Sequence, residues 1–216
     1  MACDHSGPHS GACRYLREPG ELRLLFVCDE CGAECGELAT LSYRPRGRRL
    51  VGDLVELTAQ ELGLCEAQIA RVRRAAMICD VGRDLIPPEI LHKRGALTPE
   101  EWVEVRRQPE LGAAVLSNAS FDDIRHWVLS RRERVDGSGY PRGLHDEEIP
   151  LEARIVAVAE AYVAMTSERA HIARRPHEDA ILELLSHAGT QFDATVVRAF
   201  VRATVRHTTQ LASTVA

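Results

Sequence analysis

Asp136-Gly137-Ser138-Gly139-Tyr140-Pro141-Arg142-Gly143 is the stretch on which the reading of this chain turns. Three glycines, a proline and an acid within eight residues cannot propagate a helix. Glycine supplies positive-φ positions and proline fixes a bend, so the stretch is a shaped loop. Alone, it is a long connection. The apolar patterns on either side give it meaning.

Those patterns are helical. Downstream, Leu151 to Met165 is apolar nearly all round, with only Glu152, Arg154 and Glu160 polar, as expected of a helix at the centre of a bundle. Amphipathic helices follow over His177–His187 and Ala194–Arg206, the second capped by Asp193. The tail 206–216 is small and polar and reads as flexible. Upstream, 121–132 carries Ile124, Trp127, Val128 and Leu129. Thr98-Pro99-Glu100-Glu101 is a helix start with a capping box, and a short helix continues over Leu111–Leu116. Further back, helices are expected over 48–63, with Leu50, Leu54, Leu57 and Leu62 on one face, and over 67–80. Gly63 marks the stop of the first. The fold class is therefore an all-α bundle of about seven helices over 48–205.

Composition agrees with one globular domain and a small appendage. The 216 residues are 45% hydrophobic and 27% charged, too apolar for a disordered chain. A net charge of −5 gives no reason to expect a nucleic-acid partner. No apolar run of about 18 residues is present, and no basic-then-apolar leader opens the sequence, so a cytoplasmic protein without a membrane span is expected.

The appendage is residues 1–43, which hold five of the seven cysteines. Cys28-Asp29-Glu30-Cys31-Gly32 is a C-x2-C-G knuckle, whose thiolates can reach one zinc ion while the glycine turns the chain beneath it. A second pair is expected upstream, from Cys3 and Cys13 with His5 as substitute. Between them, Glu18-Pro19-Gly20-Glu21 reads as the turn of a β-hairpin that sets Cys13 opposite Cys28, the plan of a zinc ribbon. A structural zinc explains how so short a segment folds. Residues 44–47 read as a linker.

The order of the helical pieces resembles the HD-GYP family, the cyclic di-GMP phosphodiesterase branch of the HD-domain metal-dependent phosphohydrolases. The resemblance rests on Ile86-Pro-Pro-Glu-Ile-Leu91, Gly95-Ala-Leu-Thr-Pro-Glu-Glu101, Gly137-Ser-Gly-Tyr-Pro-Arg-Gly143, Ile149-Pro-Leu-Glu-Ala-Arg-Ile-Val156 and Thr166-Ser167. It implies an HD-domain helical fold. It also implies a site where iron- or manganese-type ions, held by His and carboxylate ligands, activate water against a phosphodiester.

This sequence departs from that ligand set. The positions that the family fills with histidines are here Gly47, Cys79, Gln108, Arg131 and Arg132; Asp80 keeps its type, the late aspartate is Glu160, and Arg83 follows in place of lysine. Arginine cannot ligate a metal. The reading is a degenerate site with no catalytic iron or manganese. Arg83, Arg131 and Arg132 are expected to face Asp80 and Glu160, either as an ion-pair core or as a phosphate-binding set. The expected function is a non-catalytic binding or regulatory module for a cyclic dinucleotide-like ligand or a protein partner. The alternative is a phosphohydrolase with an altered or single-metal site. The loop Asp136, Gly137, Ser138, Gly139, Tyr140 and Pro141 is expected to serve as a contact surface, since the resemblance implies that it meets diguanylate cyclase domains or other signalling proteins. Cys79, lacking a histidine to activate it, reads as a buried inert thiol.

Overall fold

The structure, a computed structural model, describes residues 11–18, 21–28, 34–42, 45–93, 95–116, 121–167 and 174–214, with side chains between 50 and 206 of those ranges. It opens with β1 (Gly11–Glu18), β2 (Glu21–Cys28) and β3 (Glu34–Ser42). These form one antiparallel sheet in the order β1-β2-β3. The expected hairpin is present, with a third strand added along β2. Its register differs from the expectation. Cys28 lies opposite Gly11, and Cys13 opposite Phe26. Pairing Glu18 with Glu21 closes the hairpin tightly and shifts the register by two residues. Cys3, His5 and Cys31 lie outside the described residues.

The helical part comprises α1 (Pro45–Glu61), α2 (Glu66–Ile78), α3 (Pro88–Leu91), α4 (Pro99–Arg106), α5 (Gln108–Val115), α6 (Asp122–Ser130), α7 (Leu151–Thr166), α8 (His177–Ser186) and α9 (Ala194–Thr214). Two boundaries differ from those expected. Residues 45–47, read as linker, belong to α1, because proline at the first helical position is preset for the helix. The stretch from 206, read as a flexible tail, continues α9 to Thr214.

Local signals account for the ends. Gly63 takes φ 77° after α1, and Leu64 N–H reaches Ala59 O at 3.1 Å, closing the helix with a left-handed cap. Thr98 Oγ1 accepts from Glu101 N–H at 3.3 Å while Glu101 Oε2 accepts from Thr98 N–H at 2.7 Å. Asp193 Oδ1 accepts from Thr195 and Val196 N–H at 2.7 and 3.0 Å and so starts α9.

Helix α7 is the hub, in contact with α1, α2, α6, α8 and α9. Its Ile155, Val156, Val158 and Ala159 pack with Val55, Val72, Ile124, Val128, Leu184 and Phe200 into one buried cluster. Each large side chain fully buried there contributes about 1.5–3 kcal/mol. In α1 the buried seam is Val51, Leu54, Val55 and Ala59, and Leu50 turns to solvent at 42% exposure. The 3-10 turn Val81–Leu85 is pressed onto α5. A Cβ on Gly82 would stand 1.9 Å from Gln108 O, so only glycine permits that approach. This contact brings Asp80 beside the start of α5.

Candidate functional site

Three buried helical stripes meet at one place. Val72, Ala75 and Ala76 lead along α2 to Cys79. Ile124 and Val128 lead along α6 to Arg131 at its C-cap, at spacings of four and three. Ala153, Val156 and Val163 frame Glu160 on α7. Helical periodicity thus carries a cysteine, an arginine and a glutamate into a largely apolar interior.

The Arg131 side chain is 1% exposed. Its Nη1 donates to Glu160 Oε2 at 2.7 Å and Oε1 at 3.0 Å, and its Nη2 donates to Asp80 Oδ1 at 2.9 Å. Gln108 Nε2 donates to the same Asp80 oxygen at 3.2 Å. The Cys79 thiol donates to Glu160 Oε1 at 2.9 Å and to Ala76 O at 3.2 Å. Burial works against the Arg131 charge, but the Glu160 and Asp80 carboxylates outweigh it and hold the guanidinium above the ordinary arginine value. Burial, then the neighbouring Glu160 carboxylate, pushes the Cys79 thiol well above its ordinary value, so it stays protonated and unreactive at neutral pH.

Sequence reasoning placed Asp80, Glu160, Cys79, Gln108 and Arg131 at one site, and the structure joins them. It does not join Arg83 and Arg132, which are exposed and make no ion pair among the described residues. Arg132 lies in the turn just past Arg131, the C-cap of α6, and faces solvent. Arg83 projects outward from the turn whose backbone packs on α5. Gly47 lies in the first turn of α1 and has no side chain to offer.

The residues present do not fit a pair of metal ions. Metal ligands must turn lone pairs inward, whereas Arg131, Gln108 and Cys79 all point protons at Asp80 and Glu160. Among the described residues no cluster of three or more His, Cys, Asp or Glu side chains is arranged to hold an ion.

The glycine loop is built onto the end of α6. Glu133, 5% exposed, accepts Arg142 N–H at 2.7 Å and Leu144 N–H at 3.1 Å. Arg142 Nη2 donates to Ser130 Oγ at 2.7 Å. Asp136 Oδ1 accepts from both the N–H and the hydroxyl of Ser138, at 3.0 and 2.6 Å, and its carboxylate pairs with Arg134 at 3.1 Å. Those bonds, Arg134 first, hold the Asp136 carboxyl well below the usual carboxylate range. Gly137 and Gly143 take φ 76° and 66°, and the Tyr140-Pro141 peptide is cis. The Tyr140 ring lies 5.7 Å beneath the Arg106 guanidinium. The anchors Ser130 and Glu133 escaped sequence reasoning. Their signal was a glutamate three residues before the loop motif, at a position that an apolar helix end would bury.

Comparison with known proteins bears on both parts. The HD domain family matches residues 34–196. A "Cyclic di-GMP phosphodiesterase" of Thermotoga maritima is 38% identical over 155 residues, covering 70% of this chain and 42% of that protein. The "Cyclic di-GMP phosphodiesterase response regulator RpfG" of Xanthomonas campestris is 39% identical over 149 residues, covering 68% and 39%. The match therefore spans well under half the length of these two curated relatives. Among solved structures, an HDGYP protein from Bdellovibrio bacteriovorus superposes with TM-score 0.58 at 20% identity, over 71% of this chain and 50% of that one. The HD domain of the Listeria monocytogenes phosphodiesterase PgpH, in complex with cyclic-di-AMP, gives 0.53 at 12% identity, over 77% and 91%. At these identities the superpositions speak for the fold. No helix among the described residues is long and apolar enough to cross a membrane.

Proposed function

Since the chain belongs to the HD-domain family, with relatives named as cyclic di-GMP phosphodiesterases of the HD-GYP type, we propose that it binds a cyclic dinucleotide and does so without hydrolysing it. The names of the relatives support the ligand class. The observation that carries the absence of hydrolysis is the Arg131 guanidinium, which takes up Asp80 and Glu160 together. With the guanidinium between those carboxylates, they accept its protons instead of standing open to an ion that would lower the pKa of an attacking water. Arg131 itself is spent, so the phosphate contacts fall to the exposed Arg83 and Arg132 beside it in the chain. The solvent-facing Asp136 and Ser138 of the glycine loop offer a surface for a signalling partner such as a diguanylate cyclase domain.

A second reading, a phosphodiesterase with an altered metal site, is favoured by the same relatives, whose names all state hydrolysis. Calorimetric titration with cyclic di-GMP and chromatography of the mixture separate the two. Binding that survives a chelator, weakens at least tenfold in Arg132→Ala or Arg83→Ala and yields no linear product supports the first reading. Manganese- or iron-dependent linearisation establishes the second. Absence of binding removes the ligand assignment.

For residues 1–43 the proposal is one structural zinc, held by Cys28 and Cys31 with Cys3 and Cys13, or with His5 in place of one of these. The cysteine spacing supports it. Elemental analysis of the purified chain should give about one zinc per molecule, lost in Cys28→Ser/Cys31→Ser. A zinc-free, folded chain would overturn it.

A further inference from the structure

No residue of α4 is buried, and Trp102 stands on it 50% exposed. Core packing does not account for an indole there. Its surroundings do. Arg106 lies four residues on, along the same helix face, and its guanidinium sits 5.7 Å over the Tyr140 ring. Tyr140 N–H in turn donates to Arg132 O at 3.2 Å. Helix α4 runs almost directly into α5, whose first residue, Gln108, is pressed against Gly82, next to Arg83. Two aromatic rings and the guanidiniums of Arg83, Arg106 and Arg132 are thus gathered around the start of α5. None of these three arginines makes an ion pair among the described residues, although the chain as a whole carries a net charge of −5. Unpaired positive charge beside flat apolar faces suits a ligand that is both anionic and aromatic, which is the chemistry of a nucleotide.

We infer that Trp102, with the Arg106–Tyr140 stack beside it, is a platform on which a purine base of the bound nucleotide stacks, its phosphates turned towards Arg83 and Arg132. The inference rests on the cyclic dinucleotide reading above and places the part of the ligand that the phosphate contacts leave unheld. Stacking needs only the face of a base, and a planar guanidinium extends the same surface. Because Trp102 lies outside the core, replacing it should leave Tm within about 2 °C of the native value.

The test uses the full chain. Of its two tryptophans, Trp127 packs against the core, so Trp127→Phe leaves Trp102 as the single fluorescent reporter. Cyclic di-GMP and GMP should quench its emission, and ribose 5-phosphate, which has no base, should not. In calorimetry without the Trp127 substitution, Trp102→Leu should weaken cyclic di-GMP binding at least about tenfold, and Trp102→Phe, which keeps a ring, about threefold or less. Bound cyclic di-GMP that leaves the emission unchanged would overturn the inference. So would a leucine variant that binds as tightly as the native chain, or a phenylalanine variant as weak as leucine. Each of these leaves the cyclic dinucleotide reading standing, whereas a native chain that binds no cyclic di-GMP ends both. A ligand-free Trp102→Leu chain that sediments as a smaller species than the native chain would show that the indole covers a second copy, and would also overturn the inference.

Discussion

Glu133 Oε1 accepts the backbone N–H of Arg142 at 2.7 Å across nine residues of chain. Its other oxygen takes Leu144 N–H at 3.1 Å, so one buried carboxyl serves two backbone donors of the glycine loop. Glu133→Ala leaves both donors without their partner and should cost about 2–4 kcal/mol. The loop should open, and trypsin should cleave after Arg142 more quickly than in the native chain. Glu133→Gln keeps one accepting oxygen and should lose roughly half as much. Native-like cleavage in Glu133→Ala would show that the loop is held elsewhere.

Gly139 is a glycine for lack of room. A Cβ there would lie 2.3 Å from Arg134 N and 2.5 Å from Glu133 Cα, both backbone atoms that cannot swing aside. At Gly95 nothing stands within 4 Å. Gly139→Ala should therefore destabilise by about 2 kcal/mol or more, and Gly95→Ala by less than about 0.5 kcal/mol. Urea unfolding of the two variants, compared at equal slope, checks the contrast.

Asp193 sets the acid limit of the last helix. Burial pushes its carboxyl up, but the N–H groups of Val196 and Thr195 and the Arg154 guanidinium outweigh this and hold it below the ordinary 3.8. A carboxyl depressed in the folded state stabilises the fold above its unfolded value and loses that contribution as pH falls through its folded value. Stability should accordingly drop below about pH 4, and the drop should be smaller in Asp193→Asn. At pH 7, Asp193→Ala should cost about 2 kcal/mol through the lost cap and ion pair.

Cysteine chemistry offers a further check on the site. Cys65 is exposed and Cys79 is buried with its proton held by Glu160. Peptide mapping after brief treatment with iodoacetamide at neutral pH should find Cys65 modified and Cys79 intact until the chain is unfolded. Rapid labelling of Cys79 in the folded chain would mean that the site opens to solvent.

Much of this protein was legible from its residues alone. Apolar spacing of three and four places the helices, and Thr98, Gly63 and Asp193 mark their ends, because capping is chemistry among neighbours in the chain. The loop motif and its companions identified the family, and the resemblance drew attention to Asp80, Gln108, Arg131 and Glu160, which the structure brings together. What the chain order left open was which arginine enters. Arg131 and Arg132 are adjacent and chemically alike. Yet Arg131 continues the Ile124–Val128 stripe and is buried, while Arg132 is turned to solvent. Periodicity could have separated them. That the buried one meets Asp80 and Glu160 at once depends on the ends of α2 and α6 meeting the body of α7, and the close Gly82–Gln108 backbone approach brings α5 there too. Sequence determined the local elements and the residues available to the site, because those follow from bonds and turns a few residues long. Only the tertiary packing decided that a guanidinium stands between the two carboxylates, because that contact joins residues 51 and 29 positions apart, a distance over which no local pattern sets who meets whom.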